Sequence, residues 1–357
     1  MIKVAINTLP LHTAHKERGI GYYTRNLVDN FKKDSTIYVQ EFLKLSEVKE
    51  ADVIHYPWFD LFFHTLPIKQ PFPTIVTIHD VIPLIFPDHY PVGIKGKINF
   101  FLQKLALKSC RFIITDSKTS KEDIIKYLKL PDSKIIVISL AVDAKFTTLN
   151  DAKLIQTRRK YNLPDRFLLY VGDANWVKNL PFLVRAFQRI IKDPKFEDVK
   201  LVLAGGVFLK NVENIDHPEL QSLKMTNRLI REYGLDRRII KTGFIEDEEL
   251  VAFFNLATVY VQPSLYEGFG LPVLQALSCG APVVSSSIGS LKEVGGGAAV
   301  YFDPENLGQF KSIVLEILQN KSLRQKLSAL GLKQAEKFSW KKVLEEVKKV
   351  YSNAAKI

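Results

Sequence analysis

The sequence predicts an α/β protein built from two doubly wound parallel sheets, and three observations predict it. Short apolar runs recur along the chain, continuous rather than alternating, which is the pattern of parallel strands buried on both faces. Longer helical stretches separate these runs, as right-handed strand-helix-strand crossovers require. The series also starts afresh near residue 166, so the 357 residues divide into two cores rather than one.

The first run lies in Met1-Ile-Lys-Val-Ala-Ile-Asn7. It reads as one short buried strand, Val4–Asn7, and not as a secretory leader with a longer apolar core. Further strands are expected at Val53–His55, Thr74–His79 and Phe112–Asp116. Around Leu140–Asp165 the chain turns polar and irregular, with a charged Arg158–Lys160 stretch and Pro164. The division is placed there, giving residues 1–155 and 156–337. Strands of the second series are expected at Phe167–Val171, Lys200–Ala204, Ile239–Thr242, Val259–Gln262 and Pro282–Ser285. Ligands of such sheets bind beyond the carboxyl ends of the strands, so two such domains facing a central cleft would collect loops from both.

Composition narrows the function classes. The formal net charge of +12 suits nucleic acid, an anionic membrane surface or an acidic small substrate. A lysine-rich proteome is the bland explanation, although lysines do cluster between Lys95 and Lys129. No recognised module interleaves basic residues with aromatics, and no zinc-finger spacing occurs, which argues against a nucleic-acid binder. Two cysteines, Cys110 and Cys279, give neither a disulfide framework nor a metal site, so a reducing cytoplasm fits. No run approaches the roughly 18 apolar residues that span a bilayer, so any membrane role is expected to be peripheral.

The densest chemical signal is Pro263-Ser-Leu-Tyr-Glu-Gly-Phe-Gly-Leu-Pro-Val-Leu-Gln-Ala-Leu-Ser-Cys-Gly280. A strand ends near Gln262, a loop carries Glu267, Gly268 and Gly270, and Pro272 suits a first helical turn with Gly280 as its stop. Glycines let the backbone approach a ligand, and N–H groups at a helix start, together with its dipole, suit a phosphate. Glu267 stands just outside this helix and Gln275 one turn within it. A nucleotide-sugar needs this order of groups, with anion binding in the middle and hydroxyl recognition at either end. A plain glycine-rich turn explains a bare Gly-x-Gly, but not the full segment with its carboxylate.

At these residues the chain resembles the retaining family-4 glycosyltransferases of GT-B fold, whose hallmark is Glu, seven residues, then Glu. Here it reads Glu267-Gly-Phe-Gly-Leu-Pro-Val-Leu-Gln275, with glutamine in the second position. The resemblance implies that Glu267 contacts the transferred sugar near its reacting carbon and that Gly268, Phe269, Gly270 and Leu271 hold the donor diphosphate. Gln275 would face the ribose, without the charge-assisted bonds of a glutamate. Tyr170-Val-Gly-Asp-Ala-Asn-Trp-Val-Lys-Asn-Leu180 resembles a second landmark. It implies Gly172 beside the nucleoside and Lys178 on the diphosphate, while Asn179 reads as a helix N-cap. Asp173 and Val177 stand where relatives often carry arginine. Phe244 and Ile245 would border the base.

The resemblance also assigns His79 and Asp80, after a strand of the first domain, to the catalytic set. It puts Gly19 and Gly21, in a loop after strand one, over the donor phosphates. It implies that helix 338–357, with Trp340, Val343, Leu344, Val347 and Val350 at helical spacing, crosses back onto the first domain. That domain would take the acceptor and the second the nucleotide-sugar. No Asp-x-Asp occurs, so a metal-independent reaction with no cofactor is expected.

The reading is thus a retaining glycosyltransferase that moves a mannose-, glucose- or rhamnose-type hexose from a nucleotide-diphosphate sugar. The acceptor would be a glycan or lipid-linked molecule of cell-surface polysaccharide or glycolipid synthesis. The alternative is a catalytically weakened nucleotide-sugar-binding protein on the same fold, suggested by Gln275, Asp173 and Val177. Within Pro91–Lys108, Ile94, Ile98, Phe101, Leu102 and Leu105 fall on one helical face and Lys95, Lys97, Lys104 and Lys108 elsewhere. The preferred reading packs that apolar face on the protein's own sheet. The other docks it on an anionic leaflet at the inner membrane face.

Overall fold

A computed structural model describes residues 1–16, 19–215 and 217–356. The chain forms two units. One comprises Met1–Ala141 together with the segment from Ser339 onward, the other Val142–Phe338.

The first unit holds six parallel strands in the order β2-β1-β3-β4-β5-β6. They are β1 (Ile2–Asn7), β2 (Ile37–Phe42), β3 (Val53–Tyr56), β4 (Thr74–Thr77), β5 (Phe112–Thr115) and β6 (Ile135–Val137). The central strands β3 and β4 are buried at every position, the two-sided burial that their unbroken apolar runs demanded. Sequence reasoning missed β2 and β6. Both lie at the sheet's edges, where Ile-Tyr-Val-Gln-Glu-Phe exposes its middle to solvent and Ile135–Val137 is only three residues long.

The last helix, Trp340–Ala355, belongs to this unit. Ser339 caps it, and Val343, Val347, Val350, Tyr351 and Ala354 form its buried stripe. Tyr351 Oη lies 2.7 Å from His55 Nδ1 on β3, and His55 Nε2 lies 2.9 Å from Thr77 Oγ1 on β4. Between two hydroxyls, the neutral ring finds a partner for each nitrogen. Burial, reinforced by the charge of His79, pushes the His55 pKa down to about 3.

The basic helix runs from Ile94 to Ser109, and here the structure reverses the expected packing. Its buried stripe is Gln103, Ala106 and Leu107, while Ile94, Ile98, Phe101 and Leu105 face solvent. Gln103 explains the choice. Its Oε1 accepts from the Thr65 and Leu66 amides at 3.1 and 2.9 Å, and its Nε2 donates to the Leu66 carbonyl at 2.9 Å. A buried glutamine that satisfies a loop backbone outcompetes burial of a further apolar stripe.

The second unit is again all parallel, in the order β12-β11-β10-β7-β8-β9. Its strands are β7 (Phe167–Val171), β8 (Lys200–Ala204), β9 (Ile239–Gly243), β10 (Val259–Gln262), β11 (Val283–Ser286) and β12 (Ala299–Phe302). Sequence reasoning missed β12, which follows three consecutive glycines, Gly295–Gly297. Helix Leu180–Ile191 buries Leu180, Leu183, Val184, Phe187 and Ile190 against this sheet. Losing the Phe187 ring would cost about 3–5 kcal/mol.

The division falls after Ala141, earlier than residue 155. The polar segment beyond it is packed structure rather than a linker. Leu149 N donates to Asn255 Oδ1 and Asn255 Nδ2 to the Thr147 carbonyl, both at 2.9 Å, and the rings of Phe146 and Phe254 meet edge to face. Helix Asp151–Lys160, capped by Asn150, buries only Thr157, which is why it read as irregular.

In the second unit the strand order reverses between β7 and β10. From β7 the chain moves outward through β8 and β9, then returns to the other side of β7 for β10, β11 and β12. A crevice at such a switch point, beyond the carboxyl ends, is where doubly wound sheets bind ligands.

Candidate active site

Two loops leave the β7/β10 switch point, and each delivers one charged side chain. Beyond β10, Glu267 is buried, its side chain 10% exposed. Beyond β7, a short turn at Trp176–Lys178 carries Lys178 to it. Lys178 Nζ donates to Glu267 Oε1 at 2.7 Å and to Oε2 at 2.9 Å. The two residues were expected to do separate work, on the sugar and on the diphosphate. The structure brings them into one ion pair.

Three further side chains fix the carboxylate. Gln262 Nε2 and Ser264 Oγ donate to Glu267 Oε1 at 2.8 and 2.7 Å. Gln262 Nε2 also lies 2.8 Å from Ser264 Oγ, and the buried Tyr260 hydroxyl donates to Gln262 Oε1. Oε1 therefore accepts from three donors, while Oε2 accepts from Lys178 alone among the described residues. This leaves Oε2 the oxygen with lone-pair capacity to spare. Sequence reasoning missed Tyr260, Gln262 and Ser264. Their signal was a polar residue at every second position of a strand end that otherwise reads as core, which places all three on the face carrying Glu267.

The glycine loop is held from behind. Ser290 Oγ lies 2.9 Å from both the Glu267 and Phe269 carbonyl oxygens and donates to either. Gly270 has φ +98°, a conformation that favours glycine, and a Cβ built there would stand 2.6 Å from Leu291 Cδ2. Helix Leu271–Ser278 starts directly after it, with Pro272 in the first turn, and points its N-terminal dipole into the loop of Gly268, Phe269 and Gly270. Gln275 is buried one turn along the same helix.

Asn179 holds the N-cap position that sequence suggested, but its side chain does not cap the helix. It adopts φ +54° and makes no side-chain cap bond. Its Nδ2 instead donates to the Pro263 and Pro304 carbonyls at 3.2 and 3.1 Å, tying the β7 loop to those after β10 and β12. Pro181, in the helix's first turn, removes an N–H that a cap would serve. Across β7, β8 and β9 three glycines end the strands side by side. The Gly172 amide donates to the Ala204 carbonyl and that of Gly205 to the Gly243 carbonyl, and a Cβ on Gly205 would meet the Gly172 oxygen at 2.2 Å. Phe244, half exposed, and buried Ile245 follow immediately.

The first unit carries its own cluster. His79 follows β4, and its Nδ1 lies 2.7 Å from Asp116 Oδ2 beyond β5. Its Nε2 lies 3.2 Å from the Pro57 carbonyl, which only accepts, so Nε2 carries a proton and Nδ1 shares a second with Asp116. Burial opposes a charge on the ring, but the Asp116 carboxylate outweighs it and holds the His79 pKa above its ordinary value. Sequence reasoning named His79 and Asp80 as catalytic candidates and did not single out Asp116. Asp80 Oδ1 accepts from the Ile82 amide at 3.0 Å in a local turn, and the residue that holds the ring is Asp116. The sequence signal for it was a carboxylate at the end of a buried strand.

Gly19 and Gly21 lie in the first turn of helix Gly19–Phe31 rather than in a loop, and Arg18 falls outside the described residues. Gly21 is packed on backbone: a Cβ there would stand 2.4 Å from the His15 oxygen.

A family profile described as "Glycosyl transferases group 1" matches residues 154–334, and one described as "Glycosyltransferase Family 4" matches residues 12–146. The chain is 34% identical over 274 residues to the serotype-specific mannosyltransferase WbdA of Escherichia coli, a match covering 76% of this chain and 32% of that protein. It is 30% identical over 269 residues to the O-antigen chain mannosyltransferase B of Escherichia coli, covering 74% and 66%. In three dimensions it matches Anabaena Alr3699/HepE in complex with UDP and glucose, with a TM-score of 0.77 and 15% identity over 99% of this chain and 100% of that one. The chain thus spans about a third of the first of these relatives.

Proposed function

The chain belongs to the group 1, family-4 glycosyltransferases of GT-B fold, and on that premise we propose that it transfers mannose from a nucleotide-diphosphate sugar to a growing glycan on a lipid carrier, in cell-surface polysaccharide synthesis. The observation that carries this reading is the Glu267 carboxylate, gripped at Oε1 by Gln262 and Ser264, with Lys178 across both oxygens at a phosphate-suited helix start. Mannose is favoured because both curated relatives cited above are named mannosyltransferases.

In the proposed reaction the anomeric C–O bond to the diphosphate breaks as the acceptor oxygen bonds the same carbon on the same face. The acceptor proton passes to the leaving phosphate oxygen, so configuration is retained. Lys178 and the helix start at Leu271 stabilise the departing diphosphate, the preorganised positive field that such a step needs, and the proposal includes no metal. Glu267 Oε2 is proposed to orient the sugar. Gln275 is proposed to reach the ribose, Gly172, Phe244 and Ile245 to line the nucleoside, and His79 Nε2 to turn from the Pro57 carbonyl to the sugar. Gly19 and Gly21 are proposed beside the phosphates, at their own helix start. Among the described residues no helix is long and apolar enough to cross a membrane, so contact with a lipid carrier is proposed as peripheral, at the cytoplasmic face.

The test is a thermal-shift and single-turnover panel of GDP-, UDP- and TDP-hexoses. A donor at 100 times its dissociation constant raises stability by about 2.7 kcal/mol. The expected outcome is a shift with GDP-mannose and turnover that Glu267→Ala abolishes. Binding of no donor, or full turnover by Glu267→Ala, would refute the reading.

A further inference from the structure

The basic helix Ile94–Ser109 carries a surface that neither the fold nor the proposed chemistry uses. Ile94 is 81% exposed, Phe101 63%, Ile98 56% and Leu105 37%. At 100° per residue these four side chains fall within an arc of about 60°, directly opposite the buried Gln103. They therefore form one continuous apolar stripe rather than scattered exposures. Asn99 Nδ2 donates to the Phe62 carbonyl at 2.9 Å and ties that loop to the helix, and the neighbouring Phe63 is itself 69% exposed. Beside it opens a recess of about 340 Å³ lined by Phe62, Leu84, Tyr90, Val92 and Phe100, with Lys97 in its wall.

The charge around the stripe has one sign. By helical geometry Lys97, Lys104 and Lys108 run along one edge of it and Lys95 stands on the other. From His89 to Thr115 the sequence contains four lysines and Arg111 and no acidic residue. Among the described residues none of these lysines enters an ion pair, and Lys104 lies over the Phe100 ring at 5.5 Å. A soluble face does not gain from four large apolar side chains in a row, and a second copy of this face would bring cations against cations.

We propose that this face docks on an anionic phospholipid bilayer, with Ile94, Ile98, Phe101 and Leu105 entering the acyl boundary and the lysines contacting lipid phosphates. The chemistry fits on both counts, since apolar side chains of an interfacial helix partition below the headgroups and each basic residue near an anionic leaflet adds attraction. The inference rests on the lipid-carried acceptor proposed above for its purpose and on this helix for its support.

Full-length protein sedimented with phosphatidylglycerol–phosphatidylcholine vesicles, and with phosphatidylcholine alone, tests it. Binding to the anionic vesicles is expected, weakened at 0.5 M salt, with little to phosphatidylcholine alone. Phe101→Glu and Ile98→Glu should each lower partitioning about tenfold or more, and each Lys→Gln at 95, 97 or 104 about fivefold. These positions face solvent, so melting temperature and nucleotide-sugar shifts should stay at wild-type values. Absence of anionic-vesicle binding, or unchanged binding in both glutamate variants, overturns the proposal. So does a dimer in light scattering that Phe101→Glu dissolves, since another copy would then occupy the face. Vesicle binding that persists while no nucleotide-sugar binds supports docking and counts against the transferase reading alone.

Discussion

Replacing Lys178 by methionine and Glu267 by glutamine, singly and together, isolates the ion pair at the β7/β10 crevice. Their contacts are 2.7 and 2.9 Å, between side chains 19% and 10% exposed. At an effective dielectric near 20, opposite charges so placed attract by about 6 kcal/mol, and desolvation takes back several of these. A coupling of about 2–3 kcal/mol should remain, the range of charge-assisted hydrogen bonds. Lys178→Met alone leaves a buried carboxylate with Gln262 and Ser264 as donors and should cost about 3 kcal/mol. Glu267→Gln alone strands the ammonium and should cost about 2 kcal/mol. The double variant should lose less than their sum by the coupling energy. Urea unfolding at pH 7 measures all four proteins, with Trp176 as the one tryptophan between Val142 and Phe338 and with Trp58 and Trp340 changed to phenylalanine throughout. Each single change should also slow transfer by about 10²–10³. Losses that add within about 0.5 kcal/mol would refute the coupling.

The remaining expectations concern the first unit and the glycine loop. His55 has its pKa depressed to about 3, so its contribution to stability is complete above about pH 6.5 and is lost as pH falls toward 3. Moving from pH 6.5 to 5 should remove about 2 kcal/mol, read from denaturant midpoints. His55→Gln should flatten that slope, and an unchanged slope would count against a neutral buried ring. Asp116→Asn should move the His79 titration downward in ¹³C-histidine spectra, and an unmoved titration would mean that Asp116 does not hold the charge. Gly270→Ala, forced to φ +98° against Leu291, should cost about 1–3 kcal/mol and weaken donor binding. Wild-type melting and affinity in that variant would show that the loop tolerates a side chain.

Buried parallel strands and the motif from Glu267 onward were legible in the sequence, because both express a local pattern. The edge strands β2, β6 and β12 were not, since partial exposure or brevity removes the unbroken apolar signature. Partnerships between distant residues were also invisible. Lys178 and Glu267 are 89 positions apart and His79 and Asp116 are 37 apart, and only the strand order places each pair together. The outward face of Ile94–Ser109 illustrates the same limit. Apolar periodicity marked a stripe, yet Gln103, bonded to the Thr65–Leu66 backbone, decided which stripe faces in.

The return of helix Trp340–Ala355 to the first unit has a consequence for biosynthesis. The second unit is continuous in sequence, whereas the first is completed only by residues from Ser339 onward. On a ribosome adding about 5–20 residues per second, the intervening 142–338 take roughly 10–40 s to emerge. Throughout that interval the nascent first sheet lacks the cover of Val343, Val347 and Tyr351, and His55 lacks the Tyr351 hydroxyl. The segment that emerges second can therefore finish folding first, and the earlier-made sheet is the part that needs shielding from aggregation. Premature termination before residue 339 should strand an unfinished first unit beside a finished second one.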